Sequence, residues 1–375
     1  MSLRVGVNLT WIAPGRVGGS EEYLSRQLLG LPDAGRFDVS LFCTPTFAAA
    51  HTDLTSRFRV VATPFDRDNR ALRIALEHSW LPAQTRDLDV VHHGGGTMPL
   101  IGRRPTVLTV HDLQYLEFPE YFSESRRRYL DRMMSASVDR ASVIATPTEF
   151  VRQTVLDAFG VDTERVVVVP HGVPVIEHPA EDSMAAIRRR YGIGDGEYVV
   201  YPAITHPHKR HGVLVDMLGF LDDDLALVLL GGVGSAEPAL LDAIVERDLG
   251  ERVVRTGRVS AADRDGLIAG AAALVFPSQY EGFGAPLVEA MELGVPVVAG
   301  DVPAVREVVG DAAIIVEDES SGPGAAWAAG VADARRRRDE LERLGRERRR
   351  AFTLEVSGRA LAAAYEQAVG DGATT

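Results

Sequence analysis

The sequence predicts an α/β chain of two Rossmann-like domains, and three observations carry that expectation. Short β-branched runs alternate with longer amphipathic stretches, the pattern of a doubly wound parallel sheet. The alternation breaks at Pro170-His-Gly-Val-Pro174 and the polar stretch 177–183, then begins again. The length of 375 residues is too great for one hydrophobic core and suits two domains, which we place at 1–175 and from 176 onward. Two such domains in tandem face each other across a cleft between the carboxyl ends of their sheets, where open α/β sheets bind ligands.

In the first half, the runs 4–8, 39–42, 90–92, 106–110, 142–145 and 166–169 read as strands. Between them, 21–29, 71–81, 123–137 and 149–159 place apolar residues at helical spacing. After the break, strands are expected at 198–201, 226–230, 252–255, 273–276, 295–298 and 313–316. Helices are expected at 211–220, 238–247, 261–269, 286–293 and about 325–350. Within the last of these, 334–350 is dense in arginine but interleaved with Asp339, Glu340, Glu342 and Glu347, which reads as a solvated face with i,i+4 ion pairs.

Composition narrows the function classes. At 46% hydrophobic and 25% charged the chain is an ordinary globular one, and no run approaches the roughly 18 apolar residues of a membrane span. The start reads as a strand rather than a signal peptide, and the single Cys43 forms no internal disulfide, so we expect a cytoplasmic protein. A formal charge of −13 argues against nucleic acid as a partner. Residues 1–175 carry 19 Arg and 20 Asp and Glu, so the acidic excess lies in the remainder. Of the 40 basic side chains, 39 are arginine, and Lys209 is the lone lysine, a survivor that asks for a chemical reason.

The most informative segment is Pro277-Ser-Gln-Tyr-Glu-Gly-Phe-Gly-Ala-Pro-Leu-Val-Glu-Ala-Met-Glu292. It follows a buried strand and opens a helix, with Gly282 and Gly284 in the turn and Pro286 in the first helical turn. A helix start offers free N–H groups and a positive dipole end to a diphosphate. Glu281 precedes that start and Glu289 lies inside it, so one carboxylate can hold a sugar while the other accepts from ribose hydroxyls.

Here the sequence resembles the retaining glycosyltransferases of family 4, built on the two-domain GT-B fold. Glu281-Gly-Phe-Gly-Ala-Pro-Leu-Val-Glu289 matches that family's pair of glutamates with seven residues between them, and both flanks resemble it as well. Val17-Gly-Gly-Ser-Glu21 resembles the family's glycine loop, where Gly18 and Gly19 let backbone approach donor phosphates. His111, after the strand 106–110, matches a histidine that contacts the transferred sugar. Lys209, in Pro207-His-Lys-Arg-His211, matches a lysine on the diphosphate, which explains the lone lysine: a compact ammonium delivers point charge, whereas guanidinium prefers forked pairing.

By the same resemblance, Gly231 and Gly232 form a turn facing the donor, and backbone at Gly257, Arg258 and Val259 recognises the base. Phe283, Gly284, Ala285, Pro286 and Leu287 present the helix start to the donor, and Glu289 holds its ribose. The terminal helix 352–375 is expected to cross back onto the first domain, leaving 176–351 as the donor domain.

Two positions depart from the family. Where many members carry a second phosphate-binding arginine, this chain has Ile204, leaving His206, His208, Arg210 or backbone to substitute. Pro170-His171-Gly replaces the usual Asn-Gly, with the glycine turn kept. The resemblance implies transfer of a hexosyl unit, mannosyl favoured, from a nucleotide diphosphate sugar with retention at the anomeric carbon. A GDP-sugar is the favoured donor because Pro-His-Lys occurs in many mannosyl- and rhamnosyl-transferring members, with UDP- and dTDP-sugars as alternatives.

No cofactor and no metal is expected, and Asp222-Asp-Asp224 is read as a solvent-facing helix end rather than a metal site. The competing readings are a nucleotide-sugar epimerase, an inverting transferase, or a non-catalytic sugar-nucleotide-binding subunit. The acceptor is expected to be a carbohydrate or lipid-linked hydroxyl read by the first domain, through 92–96 and 115–121. The helix with Arg126, Arg127, Arg128, Arg132 and Arg140 offers weak contact with an anionic membrane, although an amphipathic surface helix is the simpler reading.

Overall fold

The computed structural model describes residues 2–15, 19–32, 35–66, 70–102, 105–317, 320 and 322–372. The chain divides into two compact units, Met1–Pro174 with Phe352–Thr375, and Val175–Ala351.

The first unit is built on seven parallel strands: β1 Leu3–Asn8, β2 Phe37–Cys43, β3 Arg59–Ala62, β4 Val90–His93, β5 Thr106–Thr109, β6 Val143–Thr146 and β7 Val166–Val168. Their order is β3-β2-β1-β4-β5-β6-β7, and β1 pairs on both edges, Val5 opposite Val39 and Val90. Helices cover both faces of the inner strands, so β4, β5 and β6 are buried at every residue, their His and Thr included. Helix Glu149–Phe159 starts on a Thr148 cap and ends at Gly160 in the left-handed region (φ 61°).

The helix Leu354–Gly372 belongs to this unit. It packs against helix Gly19–Leu29 so closely that a Cβ on Gly358 would stand 1.9 Å from the Gly30 carbonyl oxygen. Ser357 donates to the Pro170 carbonyl (2.6 Å), and the Tyr365 hydroxyl meets His92 Nδ1 at 2.9 Å.

The second unit carries six parallel strands: β8 Tyr198–Pro202, β9 Ala226–Leu230, β10 Val253–Gly257, β11 Ala273–Phe276, β12 Val297–Gly300 and β13 Ala313–Val316. Their order is β10-β9-β8-β11-β12-β13. Chain order reverses between β8 and β11, which makes their carboxyl ends the switch point of this sheet.

The α/β class holds, and most elements fall within a few residues of expectation. β3 (Arg-Val-Val-Ala) was not expected, because an exposed edge strand of four residues carries no burial pattern. Helices Glu181–Arg190 and Pro303–Val309 were also absent from the reading, the first within what reads as a polar connector. The single helix expected at 325–350 is two, Pro323–Arg336 and Arg338–Arg348, separated at Arg337 (φ −99°, ψ 20°). Its arginines do pair along the surface, as in Arg337 Nε–Glu340 at 2.8 Å. Asp222, Asp223 and Asp224 lie exposed between helix His211–Leu218 and β9, where Asp223 pairs with Arg252 at 3.4 Å.

Candidate functional site

In the second unit, β8 delivers the chain to a single 3-10 turn, Pro207–Lys209. Arg210 then takes a left-handed conformation (φ 51°) and starts helix His211–Leu218. The turn folds Lys209 back over the neighbouring strand end, where its ammonium pairs with the Glu281 carboxylate and sits 5.8 Å from the Phe276 ring centroid. The two side chains are 19% and 12% exposed, so the pair is mostly out of water yet reachable.

Tyr201, fully buried on β8, ties the two loops together. Its hydroxyl donates to the Lys209 carbonyl (3.1 Å) and therefore accepts from Ser278 Oγ (2.9 Å). A second tie runs from the Gln279 N–H to the His208 carbonyl at 2.9 Å. Burial, and then the nearby Lys209 charge, push the His208 pKa down to about 3, and His211 falls to about 4 for the same first reason. Both imidazoles are neutral at pH 7, so the cations here are Lys209 and the adjoining Arg210.

After β11, the chain passes through Pro277 to Gly284 and enters helix Ala285–Glu292. Gly284 sits at φ 91°, and a Cβ there would stand 2.8 Å from Leu287 Cδ1, so glycine is required on both counts. No side-chain oxygen caps this helix and Pro286 has no N–H, so its positive end remains open to an anion. Phe283 and Leu287 are buried in the core, so whatever they contribute to a ligand is backbone. Glu289 is 1% exposed and faces Arg264 Nη2 at 3.7 Å.

The turns after β9 and β10 adjoin that site. Gly231 (φ 136°) passes under the β8 loop, where a Cβ would lie 2.3 Å from the Ala203 carbonyl oxygen. Thr205 holds this turn: its hydroxyl donates to Glu237 Oε2 (2.6 Å) and accepts from the Gly234 N–H (2.7 Å). Glu237 is closed off further by an ion pair with Arg255. Gly257 (φ 68°) turns the chain at the end of β10, leaving Arg258 exposed and Val259 half-buried.

In the first unit, His111 follows β5. Its Nε2 lies 2.8 Å from the Gly94 carbonyl, which only accepts, so Nε2 carries the proton. Burial lowers its pKa, so the ring is neutral and Nδ1 keeps a lone pair. The Tyr23 ring, edge-on at 5.1 Å, and Trp11 hold its plane. Close by in sequence, Thr10 donates to Asn8 Oδ1 (2.6 Å) or Glu77 Oε1 (3.0 Å), and Asn8 approaches His93 (3.5 Å). Of the glycine loop, Gly18 lies outside the described residues, and Gly19 opens helix Gly19–Leu29 with open space where a Cβ would be.

The structure thus brings Lys209, Glu281 and the start of helix Ala285–Glu292 together, with Gly231 and Gly257 on the neighbouring strand ends. It adds Tyr201, Thr205 and Glu237, which sequence reasoning did not single out, and gives Ser278 of the matched segment its partner in Tyr201. Two models of known families match the chain: "Glycosyl transferases group 1" over residues 183–351 and "Glycosyltransferase Family 4" over 17–176. The chain belongs to the family 4, group 1 glycosyltransferases.

Among curated relatives of this glycosyltransferase is O-antigen chain mannosyltransferase B of Escherichia coli, 30% identical over 236 residues. That match covers 61% of this chain and 61% of the relative. O-antigen chain mannosyltransferase RfbU of Salmonella typhimurium is 26% identical over 274 residues, 72% of this chain and 71% of the relative. Among solved structures, HepE of Anabaena, solved in complex with UDP and glucose, superposes with a TM-score of 0.76 at 19% identity over 97% of this chain and 99% of that one. The fold is therefore GT-B.

Proposed function

We propose that this glycosyltransferase moves a hexosyl unit, mannosyl favoured, from a nucleotide diphosphate sugar to an acceptor hydroxyl with retention of anomeric configuration. The observation that carries the reading is the pairing of Lys209 with Glu281 beside an uncapped helix start. Charge developing on a departing diphosphate needs preorganised positive partners, and an ammonium next to a helix N-terminus supplies them without reorganisation. Glu281 then orients the sugar, Glu289 receives the ribose hydroxyls, and His111 accepts from a sugar hydroxyl at Nδ1. In this reading the diphosphate is anchored by Lys209 and backbone, since Ile204 carries no charge.

The two mannosyltransferase relatives support the mannosyl preference, and the solved complex with UDP supports a nucleotide-sugar donor. The same relatives, named as O-antigen chain mannosyltransferases, support an acceptor within a glycan, and a lipid-linked saccharide is the form of it we propose. No helix among the described residues is long and apolar enough to cross a membrane. Peripheral contact through the arginines of helix Glu124–Arg140 is part of the proposal, and co-sedimentation with anionic liposomes tests it.

The deciding experiment incubates the protein with GDP-, UDP- and dTDP-hexoses and a saccharide acceptor, then assigns the product anomer by NMR. Retained configuration supports the proposal. An inverted product, an epimerised donor, or binding without turnover on any acceptor each overturns it in favour of a different activity.

A further inference from the structure

Glu289, the acid proposed for the ribose hydroxyls, is almost closed to water. Its side chain is 2% exposed, and its Oε1 lies 3.7 Å from Arg264 Nη2. A carboxylate buried to that degree is costly without a cation, and Arg264 supplies one from the neighbouring helix Ala261–Ala269.

The helix that carries Arg264 is fixed in three ways. Ser260 caps it, its hydroxyl accepting from the Asp263 N–H at 3.1 Å. Asp263 receives Arg190 Nη1 on both oxygens (2.7 and 2.8 Å) and the Tyr191 hydroxyl at 2.7 Å, which ties this first turn to the end of helix Glu181–Arg190. Gly266 then packs against the same helix so closely that a Cβ would stand 2.4 Å from Ile187 Cδ1. Arg264, about 100° around the helix from Asp263, leaves on another face and reaches Glu289.

The guanidinium is held at its Nε as well, which donates to Asp265 Oδ1 at 3.2 Å. Side-chain exposure falls from 19% for Asp265 and 20% for Arg264 to 2% for Glu289, so this acid–base–acid series runs from the surface inward. At 3.7 Å, Arg264 Nη2 stands beyond hydrogen-bond distance of Glu289. It therefore offsets the burial of the carboxyl without itself occupying a lone pair that a ribose hydroxyl needs.

We infer that Arg264 is a positioning residue for the donor: it holds Glu289 where the carboxyl receives the ribose hydroxyls, and Asp265 holds Arg264 in turn. This rests on the proposed role of Glu289 and extends it to the support behind that acid. Because Arg264 acts through Glu289, its loss is felt at the ribose. The diphosphate, proposed to sit at Lys209 and the start of helix Ala285–Glu292, is the internal control.

The test is isothermal titration of the intact protein, of Glu289→Gln, Arg264→Leu and Arg264→Lys, and of Glu289→Gln combined with Arg264→Leu. The probes are GDP, UDP, their 2′,3′-dideoxy forms and inorganic pyrophosphate, with melting curves as a folding control. The unaltered protein should bind the ribonucleotide roughly tenfold or more tightly than its dideoxy form, the scale of a hydrogen bond to a charged group. Arg264→Leu should cut that ratio about threefold or more while pyrophosphate changes by less than about twofold, and Arg264→Lys should recover part of it. The combined variant should show the same ratio as Glu289→Gln alone, because residues that act as one unit are not additive.

An unchanged ratio in Arg264→Leu overturns the inference. So does an equal loss for ribonucleotide, dideoxynucleotide and pyrophosphate, the mark of an ion pair that only holds the fold. A combined variant whose ratio falls below that of Glu289→Gln puts Arg264 on the donor directly and overturns action through Glu289. Equal binding of the ribo and dideoxy forms by the unaltered protein, or binding of neither, overturns the donor reading of Glu289 itself, a failure distinct from the other three.

Discussion

Lys209 and Glu281 hold each other in place at the site proposed for the donor. A mostly buried ammonium and carboxylate would each be costly alone, and each offsets the other's burial. Under the proposed function a donor diphosphate would take over one partner and the sugar hydroxyls the other. Replacing Lys209 by Ala should lower kcat on the order of 100-fold or more, the scale for losing one charge-stabilising donor. Near-normal turnover in steady-state assays would exclude Lys209 from the chemistry. Tyr201→Phe tests the tie between the loops: it leaves the Lys209 carbonyl and Ser278 without their shared hydroxyl and should cost about 1–3 kcal/mol in urea unfolding. Lys209 stood out in the sequence because it is the lone lysine and follows a strand. Tyr201 did not, because its partners lie 8 and 77 residues away and a strand-end tyrosine looks like core.

At the scale of elements, the site is three strand ends and one helix start, each set by a backbone conformation that side chains resist. Gly284 is the sharpest case. Placing Ala there costs about 1–2 kcal/mol for the left-handed conformation, before the contact with Leu287 is counted. Gly284→Ala should therefore lower the melting temperature and weaken nucleotide diphosphate binding together, because the helix start must shift to accept it. Unchanged affinity in a titration would show that this helix does not meet the donor. The same physics explains what could be read in advance. β8, β9 and β11 are apolar throughout because both faces are covered, so they were legible. β3 and helix Glu181–Arg190 are edge or polar elements whose order comes from tertiary contacts, and no local pattern announces those.

At the scale of the whole molecule the first unit is discontinuous in sequence, since helix Leu354–Gly372 completes the unit that begins at the N-terminus. Leu361, Ala364 and Tyr365 on it are buried in the core around β1, β4 and β5, and Tyr365 is the Nδ1 partner of His92. A chain ending at Ala351 should lose the cooperative unfolding of the first unit while the second keeps its own transition, as calorimetry would resolve.

Both units also share a liability to acid. Burial pushes the pKa values of His92, His93 and His208 down to about 3 and that of His211 to about 4, against 6.5 for an exposed imidazole. Between these limits the unfolded chain binds protons that the folded chain refuses, so stability must fall as pH falls below about 6.5. Each such group contributes up to roughly 1.4 kcal/mol per pH unit in that window, opposed in part by Glu77, whose carboxyl pKa burial pushes upward. The melting temperature should therefore drop steadily from pH 7.5 to pH 5. His92 sits between Tyr365 and Thr109, at 2.9 and 2.8 Å, so His92→Gln should flatten the slope for the first unit even though it lowers stability at neutral pH. A melting temperature that holds or rises over that range would mean that these imidazoles gain protons in the folded state, against the burial the structure gives them.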